Sequence, residues 1–332
     1  MPAAINARPG SPYARIMGVG GYRPSRVVTN EEILERIDSS DEWIRSRSGI
    51  VTRHWAGDEE TVAEMSVAAA GKAIADAGIG TEQVDAVIVS TVSHFAQTPG
   101  IATVIAHRLG AGKPAAFDIS AACAGFGYGV TIGTGLIVAG SARHVLVIGV
   151  ERLSDLTDHE DRSTAFLFGD GAGAVVLGPS PKPAIGPTVW GSEGDKAGVI
   201  SQTVPWNEYS PGDKFPALRQ EGQTVFRWAV YEMAKVAKEA MDAAGIAPEQ
   251  LDVFIPHQAN MRIIDSMVKT LGLPESVAVA RDIETTGNTS AASIPLAMER
   301  MLATGQARSG DTALVIGFGA GLVYAATVVT LP

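Results

Sequence analysis

Three side chains in this sequence are suited to covalent chemistry at a carbonyl, and the first is the single cysteine. Cys123 lies in the stretch DISAACAGFGYGV at 118–130, where an apparent strand (AAFDIS) turns into an apparent helix. A lone cysteine is commonly just a small buried apolar side chain. At a helix N-terminus, however, free backbone N–H groups stabilise a thiolate. We therefore expect a lowered pKa for Cys123 and a nucleophilic sulfur that needs no charged base.

The neighbours of Cys123 are almost all alanine and glycine, which leaves room for a bulky electrophile to reach the sulfur. Glycines at 125, 127 and 129 would weaken a helix that served stability alone. The pattern predicts that another element packs closely against this helix.

The second and third side chains are His257 in IPHQAN and Asn288 in TTGNTSAAS. His257 follows a predicted strand, LDVFIP, whereas the histidines at 54, 94, 107, 144 and 159 are scattered and are interpreted as surface or packing residues. A structural role for His257 and a helix N-cap role for Asn288 are the alternatives. Two neutral donors beside a thiol suit an oxygen that becomes negative in the transition state. This favours carbon–carbon bond formation through an acyl-cysteine over proteolysis.

The sequence also repeats itself, which predicts where these side chains lie. AGIGTEQVDAVIV (77–89) matches AGIAPEQLDVFIP (244–256), and HVLVIGVE (144–151) matches TALVIGFG (312–319). We predict an α/β fold of two similar halves, 1–180 and 181–332, joined at the proline-rich GPSPKPAIGP (178–187). Cys123 and Asn288 are expected at equivalent places, each opening the central helix of its half. A pseudo-twofold axis would then bring Cys123, Asn288 and His257 to one cleft.

Composition narrows the function classes. The formal net charge of −10 argues against a nucleic-acid partner. One cysteine cannot form an internal disulfide, and the N-terminus lacks a signal peptide's apolar core, so we expect a cytoplasmic protein. The apolar stretch at 312–332 is interrupted by GFGAG, which predicts two buried strands and no membrane anchor.

Six motifs together resemble the β-ketoacyl-acyl-carrier-protein synthase III family, over the chain from about residue 14 to the C-terminus: SDEWIRSRSGI, AACAGF, FLFGDGAGAVVL, PHQANMRII, GNTSAASIPLA and GFGAG. The resemblance implies a thiolase-like fold with a layered αβαβα arrangement. It also implies a cytoplasmic homodimer that uses no metal and no organic cofactor, with a CoA thioester as substrate.

The resemblance further implies a two-step reaction that initiates fatty acid synthesis. Cys123 matches the family's nucleophile and takes an acyl group from acyl-CoA. Malonyl-acyl-carrier protein then enters and loses CO₂, and His257 and Asn288 match the pair that stabilises the resulting enolate. Attack on the acyl thioester gives a β-ketoacyl-acyl-carrier protein by ping-pong order.

Substrate-contacting positions follow from the same resemblance. For CoA and the thioester, the matching residues are Trp43, Arg47 and Arg162 at the adenine, Gly222, Phe226 and Asn260 along the pantetheine tunnel, and Phe318 near the thioester. The backbone N–H groups of Cys123 and Ala320 match the oxyanion hole, with Ala320 standing where many relatives have glycine.

Two further positions concern partners. Thr98 matches a residue that closes the acyl pocket of the partner subunit in that family, with Phe95 as the alternative match, and a threonine there favours branched or longer primers. Arg262 and Lys269 share a predicted helix face and are candidates for docking an acidic carrier protein.

Two other functions remain open. One is a priming ketosynthase or acyltransferase of a polyketide pathway, and the other is a non-catalytic partner subunit of a condensing enzyme. The presence of Cys123, His257 and Asn288 argues against the second.

Overall fold

The computed structural model describes residues 5, 6 and 8–332 of the chain. The strands are β1 Tyr13–Tyr22, β2 Arg26–Thr29, β3 Thr52–Trp55, β4 Ala86–Ser90, β5 Ala115–Ile119, β6 Val145–Arg152, β7 Asp170–Ser180, β8 Val189–Ser192, β9 Ile200–Gln202, β10 Leu218–Gln220, β11 Val253–Pro256, β12 Ala278–Val279, β13 Thr312–Gly319 and β14 Val323–Thr330. The α-helices are α1 Asn30–Leu34, α2 Asp41–Ser48, α3 Val62–Asp76, α4 Ile101–Arg108, α5 Gly125–Val138, α6 Gly222–Ala244, α7 Met261–Leu271, α8 Ile283–Thr286 and α9 Ser293–Ala303.

Two five-stranded sheets repeat one topology. The first has the strand order β1-β7-β6-β4-β5, and the second has β8-β14-β13-β11-β12 when followed from the corresponding edge. In each sheet three neighbouring strands are parallel, and the other two pair antiparallel. The two-half α/β arrangement predicted from the internal repeat is therefore confirmed.

Five layers stack through the molecule. Helices α5 and α9 lie between the two sheets, α3 and α4 cover the outer face of the first sheet, and α6 and α7 cover that of the second. Strands covered on both faces must be apolar throughout, and all five residues of β4 are buried. Helices α5 and α9 are thus enclosed between the two sheets.

The apolar stretch at the C-terminal end forms two strands, as predicted. β13 and β14 pair antiparallel along their whole length, from Thr312 opposite Thr330 to Gly319 opposite Val323. No helix among the described residues is long and apolar enough to cross a bilayer.

The junction between the halves lies near the predicted proline-rich segment. β7 ends at Ser180, and the Gly186 N–H already donates to the Val328 carbonyl of the second sheet at 2.8 Å. A domain boundary between residues 180 and 181 stays a prediction.

The structure corrects the predicted equivalence of Cys123 and Asn288. Short 3₁₀ turns, Ala122–Ala124 and Ser290–Ala292, directly precede α5 and α9, so the counterpart of Cys123 is Ala291. The packing agrees, because a Cβ added to Gly317 would lie 2.8 Å from the Cys123 carbonyl oxygen and one added to Gly149 would lie 2.1 Å from that of Ala291. Asn288 lies three residues earlier, where the chain has not yet entered the turn.

Candidate active site

A cavity of about 1280 Å³ joins most of the residues singled out in the sequence. Cys123, His257 and Asn288 all line it, so the prediction that the two halves bring them to one cleft is supported by the geometry. The other predicted residues in its wall are Trp43, Arg47, Gly222, Phe226, Asn260, Arg262, Phe318 and Ala320.

Close packing fixes the position of Cys123. It lies in the 3₁₀ turn after β5, next to Ala122, whose φ of 43° is unusual for a residue with a side chain. A Cβ on Gly319 would lie 3.0 Å from the sulfur, and one on Gly125 would lie 1.7 Å from the Ser90 hydroxyl oxygen. The small residues around Cys123 thus serve close approach of neighbouring elements, as predicted.

The predicted lowering of the thiol pKa is wrong in direction. Burial raises the pKa of Cys123 to about 12, and the negative charge of Glu151 adds to the rise, while the Ser290 hydroxyl opposes it. A helix terminus contributes up to about 2 kcal/mol, or roughly 1.5 pKa units, which cannot reverse a shift of this size. Burial thus works against the thiolate, although Cys123 is only half-buried because it lines the cavity.

His257 follows the C-terminal end of β11 and is almost fully buried. Its Nδ1 lies 2.7 Å from the Ser293 hydroxyl oxygen, which also accepts the Gln258 N–H at 3.4 Å. Among the described residues the hydroxyl hydrogen finds no other acceptor than Nδ1, which places the ring hydrogen on Nε2. Burial lowers the pKa of His257 to about 3. The ring is thus a neutral donor, as the enolate role requires.

Asn288 presents an oriented carboxamide. Its Oδ1 accepts the Ser290 N–H at 2.9 Å, so the amide NH₂ is left as the group available to the cavity. The backbone of Asn288 is held by hydrogen bonds with Leu167 and Gly169, at 2.9 and 3.0 Å. Because α9 begins at Ser293, the alternative that Asn288 is its N-cap is wrong.

The residues predicted to contact the CoA adenine meet around one ring, that of Trp43. The Arg162 and Arg47 guanidinium carbons lie 4.9 and 5.8 Å from the centroid of Trp43, whose edge packs against Phe166. Arg162 reaches the cavity only through this contact, since it does not line the wall itself. Stacked guanidinium and indole groups form a surface on which a flat base can bind.

The residues predicted along the pantetheine tunnel differ in how far their side chains are already used in contacts within the protein. Arg262 stacks over Phe226 at 4.9 Å, and Gly222 opens α6 beside them. The Asn260 side chain, in contrast, makes hydrogen bonds within the protein with both of its polar atoms. Its Oδ1 caps α7 by accepting the Arg262 N–H, and its Nδ2 donates to the Arg47 carbonyl. It still lines the cavity.

Phe318 and Ala320, which are predicted to lie near the thioester, line the cavity close to His257 and Cys123. The Phe318 ring meets His257 edge-on at 5.4 Å. Ala320 follows Gly319, the residue in contact with the sulfur. The wall near the sulfur is therefore built by β13 and the turn after it.

Thr98 and Lys269, like Arg162, lie outside the cavity wall. Thr98 is exposed, although Gln97 and Gly100 line the cavity. Lys269 is exposed in the last turn of α7, seven residues after Arg262, or about 10 Å along the axis.

Sequence reasoning missed Glu151 and the serines at 290 and 293. The repeat held a signal, because HVLVIGVE and TALVIGFG place Glu151 where the second half has Gly319. Gly319 contacts Cys123, so a carboxylate at the duplicated position could have been placed beside the turn that contains Ser290.

Comparison with protein families gives two matches. Residues 117–194 match the model described as 3-oxoacyl-[acyl-carrier-protein] synthase III, and residues 241–331 match the model of its C-terminal part. These ranges contain Cys123, His257 and Asn288.

Curated relatives match the chain nearly end to end. A β-ketoacyl-[acyl-carrier-protein] synthase III of Streptomyces glaucescens is 77% identical over 330 residues and covers 99% of both chains. A mycobacterial β-ketoacyl-[acyl-carrier-protein] synthase III of Mycobacterium marinum is 54% identical and covers 96% of this chain and 95% of its own.

Solved structures agree with the fold. The priming β-ketosynthase of the R1128 polyketide biosynthetic pathway has a TM-score of 0.96 at 46% identity and covers 100% of this chain and 99% of its own. The 3-oxoacyl-[acyl-carrier-protein] synthase III of Aquifex aeolicus has a TM-score of 0.88 at 38% identity and covers 96% and 99%.

Proposed function

The chain belongs to the β-ketoacyl-[acyl-carrier-protein] synthase III family, and from this premise we propose that Cys123 carries the acyl group during the reaction. The protein is an acyltransferase, the initiating condensing enzyme of fatty acid synthesis. Its substrates include an acyl-carrier protein. We propose that the primer is an acyl-CoA and that the extender is malonyl-acyl-carrier protein.

In the first half-reaction the Cys123 sulfur attacks the acyl-CoA thioester and CoA leaves. The oxygen that becomes negative would be received by the backbone N–H groups of Cys123 and Ala320. Gly319 supports this role because it packs against the sulfur and leads directly to Ala320. Oxyanion donors of this kind are each worth about 3–4 kcal/mol of barrier.

In the second half-reaction malonyl-acyl-carrier protein loses CO₂, and the enolate oxygen is received by two neutral donors. The His257 Nε2–H and the Asn288 amide NH₂ are the available groups, because Ser293 and Ser290 occupy their other polar atoms. The carbanion then attacks the acyl-cysteine and releases the β-ketoacyl product. Neutral donors suit this step, since a charged imidazolium would cost more to bury.

One observation carries this proposal. A thiol, a neutral imidazole and an oriented carboxamide line the same cavity, and Trp43 and Arg47 also line it. The cavity thus reaches both a reactive sulfur and a surface suited to an adenine ring.

Separating the two half-reactions tests the roles. We expect His257→Ala and Asn288→Ala to be acylated by acyl-CoA but to lose at least about 100-fold in CO₂ release from malonyl-acyl-carrier protein, from the loss of one donor each. Intact-protein mass and radiolabelled CO₂ measure the two steps. A variant that loses acylation and keeps decarboxylation would reverse the assignment.

We also propose a homodimer in the cytoplasm in which Thr98 closes the acyl pocket of the partner subunit. The exposure of Thr98 next to cavity residues supports this placement. A small side chain there favours branched or longer primers. We expect the reaction to use neither metal nor organic cofactor, and that remains a prediction.

A priming ketosynthase of a polyketide pathway is the second candidate, favoured by the likeness to the R1128 enzyme. The two functions share the same three residues and differ in primer. A competition among acetyl-, isobutyryl- and longer acyl-CoAs, with malonyl-acyl-carrier protein as extender, separates them by product chain.

A further inference from the structure

The two donors proposed for the enolate oxygen come from separate segments of the second half. His257 directly follows β11, and Asn288 lies between α8 and the 3₁₀ turn before α9. Two donors serve one oxygen only when both lie about 2.7–3.1 Å from the place that this oxygen will occupy. A misplacement of about 1 Å can slow a reaction roughly 100-fold. A group that fixes one segment relative to the other would therefore act on condensation.

The backbones of the two segments are joined only where β11 pairs with β12. β12 is two residues long, and directly after it the Ala280 N–H donates to the Phe254 carbonyl at 2.9 Å. In the described part of the chain, no backbone hydrogen bond joins residues 255–258 to residues 281–288. The backbone pairing thus ends before either segment reaches its donor.

The side chain of Gln258, the residue after His257, continues the connection. Gln258 is 1% exposed. Its Nε2 donates to the Pro256 carbonyl at 2.7 Å and to the Ala280 carbonyl at 3.4 Å, and its Oε1 accepts the Ile283 N–H at 3.1 Å. Two carbonyl acceptors on one side and one N–H donor on the other allow a single orientation of the carboxamide. The side chain therefore joins the end of β11 to the start of α8.

The segment that Gln258 contacts leads directly to Asn288. The Ile283 carbonyl accepts the Gly287 N–H at 3.0 Å. Gly287 has a φ of 72°, and a Cβ there would lie 2.9 Å from that of the buried Arg53, so this turn is tightly packed. Asn288 is the next residue. Two hydrogen bonds thus connect the Gln258 carboxamide to the residue before Asn288.

The backbone of Gln258 belongs to the support of His257. Its N–H donates to the Ser293 hydroxyl oxygen at 3.4 Å, and the same hydroxyl lies 2.7 Å from His257 Nδ1. Gln258 itself does not line the cavity. It therefore lies behind both donors, where it contacts the support of each and no substrate.

We propose that Gln258 sets the distance between the His257 Nε2–H and the Asn288 amide NH₂, and that it acts on the condensation half-reaction and not on acylation. It is a positioning residue, because its carboxamide holds β11 and α8 together and does not reach the cavity. The inference rests on the proposed roles of His257 and Asn288.

Gln258→Met tests the proposal, because it keeps the length of the side chain and removes its polar atoms. We expect CO₂ release from malonyl-acyl-carrier protein by the acylated enzyme to slow about 10- to 100-fold in kcat, with KM unchanged. Acylation by acetyl-CoA or isobutyryl-CoA should stay within about twofold of the unmodified enzyme, because other elements hold Cys123. Rapid-quench measurement of CO₂ and intact-protein mass follow the two steps.

A double-mutant comparison distinguishes positioning from a general loss of stability. In Asn288→Ala the enolate oxygen has lost one of its two donors, so the distance between them no longer matters. Adding Gln258→Met to Asn288→Ala should then slow CO₂ release by less than about threefold. An effect on folding alone would give the same loss in either background.

Gln258→Glu is the conservative variant. Burial favours its uncharged carboxyl, which can still donate to the Pro256 carbonyl and accept the Ile283 N–H. At pH 6 we expect CO₂ release within about threefold of that of the unmodified enzyme. Phe254→Leu is the matched control, because it changes a fully buried side chain of β11 without removing a hydrogen bond, and both steps should keep their rates.

Equal slowing of both steps in Gln258→Met, or an undiminished effect of Gln258→Met in the Asn288→Ala background, overturns the proposal. So does CO₂ release at pH 6 that is as slow in Gln258→Glu as in Gln258→Met. Should Gln258→Met not fold, Gln258→Asn takes its place, since a carboxamide shorter by one methylene cannot reach both partners. If Asn288→Ala and His257→Ala keep their full CO₂ release, the proposed function fails instead.

Discussion

At the scale of single residues, hydrogen bonds determine which polar group of His257 and of Asn288 faces the cavity. Ser293 occupies His257 Nδ1, and Ser290 occupies Asn288 Oδ1, so each points a donor into the cavity. Burial lowers the pKa of His257, which favours the neutral imidazole, and raises the pKa of the Cys123 thiol.

Removing the hydroxyl behind His257 should affect one half-reaction only. Ser293→Ala loses the bond that fixes the ring hydrogen on Nε2, which is worth about 1 kcal/mol for a neutral pair. We expect condensation to slow roughly 5- to 10-fold, with acylation of Cys123 unchanged. Rapid-quench measurement of each step checks this, and an equal loss in both steps would contradict it.

Contact with the sulfur makes Gly319 intolerant of a side chain. The added Cβ of Gly319→Ala would lie 3.0 Å from Cys123 Sγ and 2.9 Å from its Cβ. We expect about 1–3 kcal/mol of destabilisation from overpacking and acylation slowed by at least about tenfold. Gly194→Ala, where a Cβ meets nothing within 4 Å, is the control. Normal acylation of Gly319→Ala would show that the sulfur does not need this space.

At the scale of elements, the turns before α5 and α9 decide what each half contributes. Ala122–Ala124 brings a thiol and Ser290–Ala292 brings a hydroxyl to the same interface between the sheets. The segments that follow the helices could be matched between the two halves from sequence, because an internal repeat preserves their spacing. The true counterpart of Cys123, Ala291, was not, because similarity in composition does not fix register to within three residues.

The exposed face of α7 is the element expected to bind the carrier protein. Arg262 and Lys269 lie seven residues apart on it, whereas the α6 lysines at 235 and 238 are already paired with Glu232 and Asp242. We expect Lys269→Glu to raise KM for malonyl-acyl-carrier protein about 3- to 10-fold, the effect of roughly 1 kcal/mol. The rate of acylation by acyl-CoA should not change.

Lys238→Glu provides the control for that substitution, since it makes the same charge reversal on another helix. Steady-state titration with the carrier protein at low and moderate salt measures both variants. Equal KM values for Lys269→Glu and the unmodified enzyme would place docking elsewhere.

At the scale of the whole molecule, duplication explains the fold and burial explains the chemistry. The strand order of one sheet repeats in the other, which the matched segments at 144–151 and 312–319 made predictable. The pKa of Cys123 could not be predicted, because it depends on how completely two sheets and two helices exclude water. Glu151 belongs to no motif, and only its match to Gly319 in the internal repeat pointed to its place beside the site.

Buried Glu151 should make stability fall with rising pH. Its folded pKa of about 7 lies above the ordinary 4.5, so the folded state keeps a proton that the unfolded state releases. As the pH rises from about 4.5 to 7, this difference in bound protons lowers the free energy of unfolding by at most about 3 kcal/mol. Relative to the unmodified protein, Glu151→Gln should gain stability across that window. The pH dependence of stability that comes from His257 is the same in both proteins and cancels in the difference.

Urea unfolding at pH 5, 6, 7 and 8 measures this difference. Asp170→Asn serves for comparison. The pKa of Asp170 is raised only to about 6, so its effect on stability should end at a lower pH than that of Glu151. Parallel stability curves for Glu151→Gln and the unmodified protein would mean that Glu151 is already ionised in the folded state.

The central claim is that the Cys123 sulfur takes the acyl group within the cavity. Peptide mass spectrometry after incubation with acyl-CoA tests it most directly, with Cys123→Ala as the control. One acyl mass on the peptide that contains Cys123, absent from Cys123→Ala, is the predicted result. Acyl groups on another residue, or on none with acetyl-, isobutyryl- and longer acyl-CoAs, would contradict it.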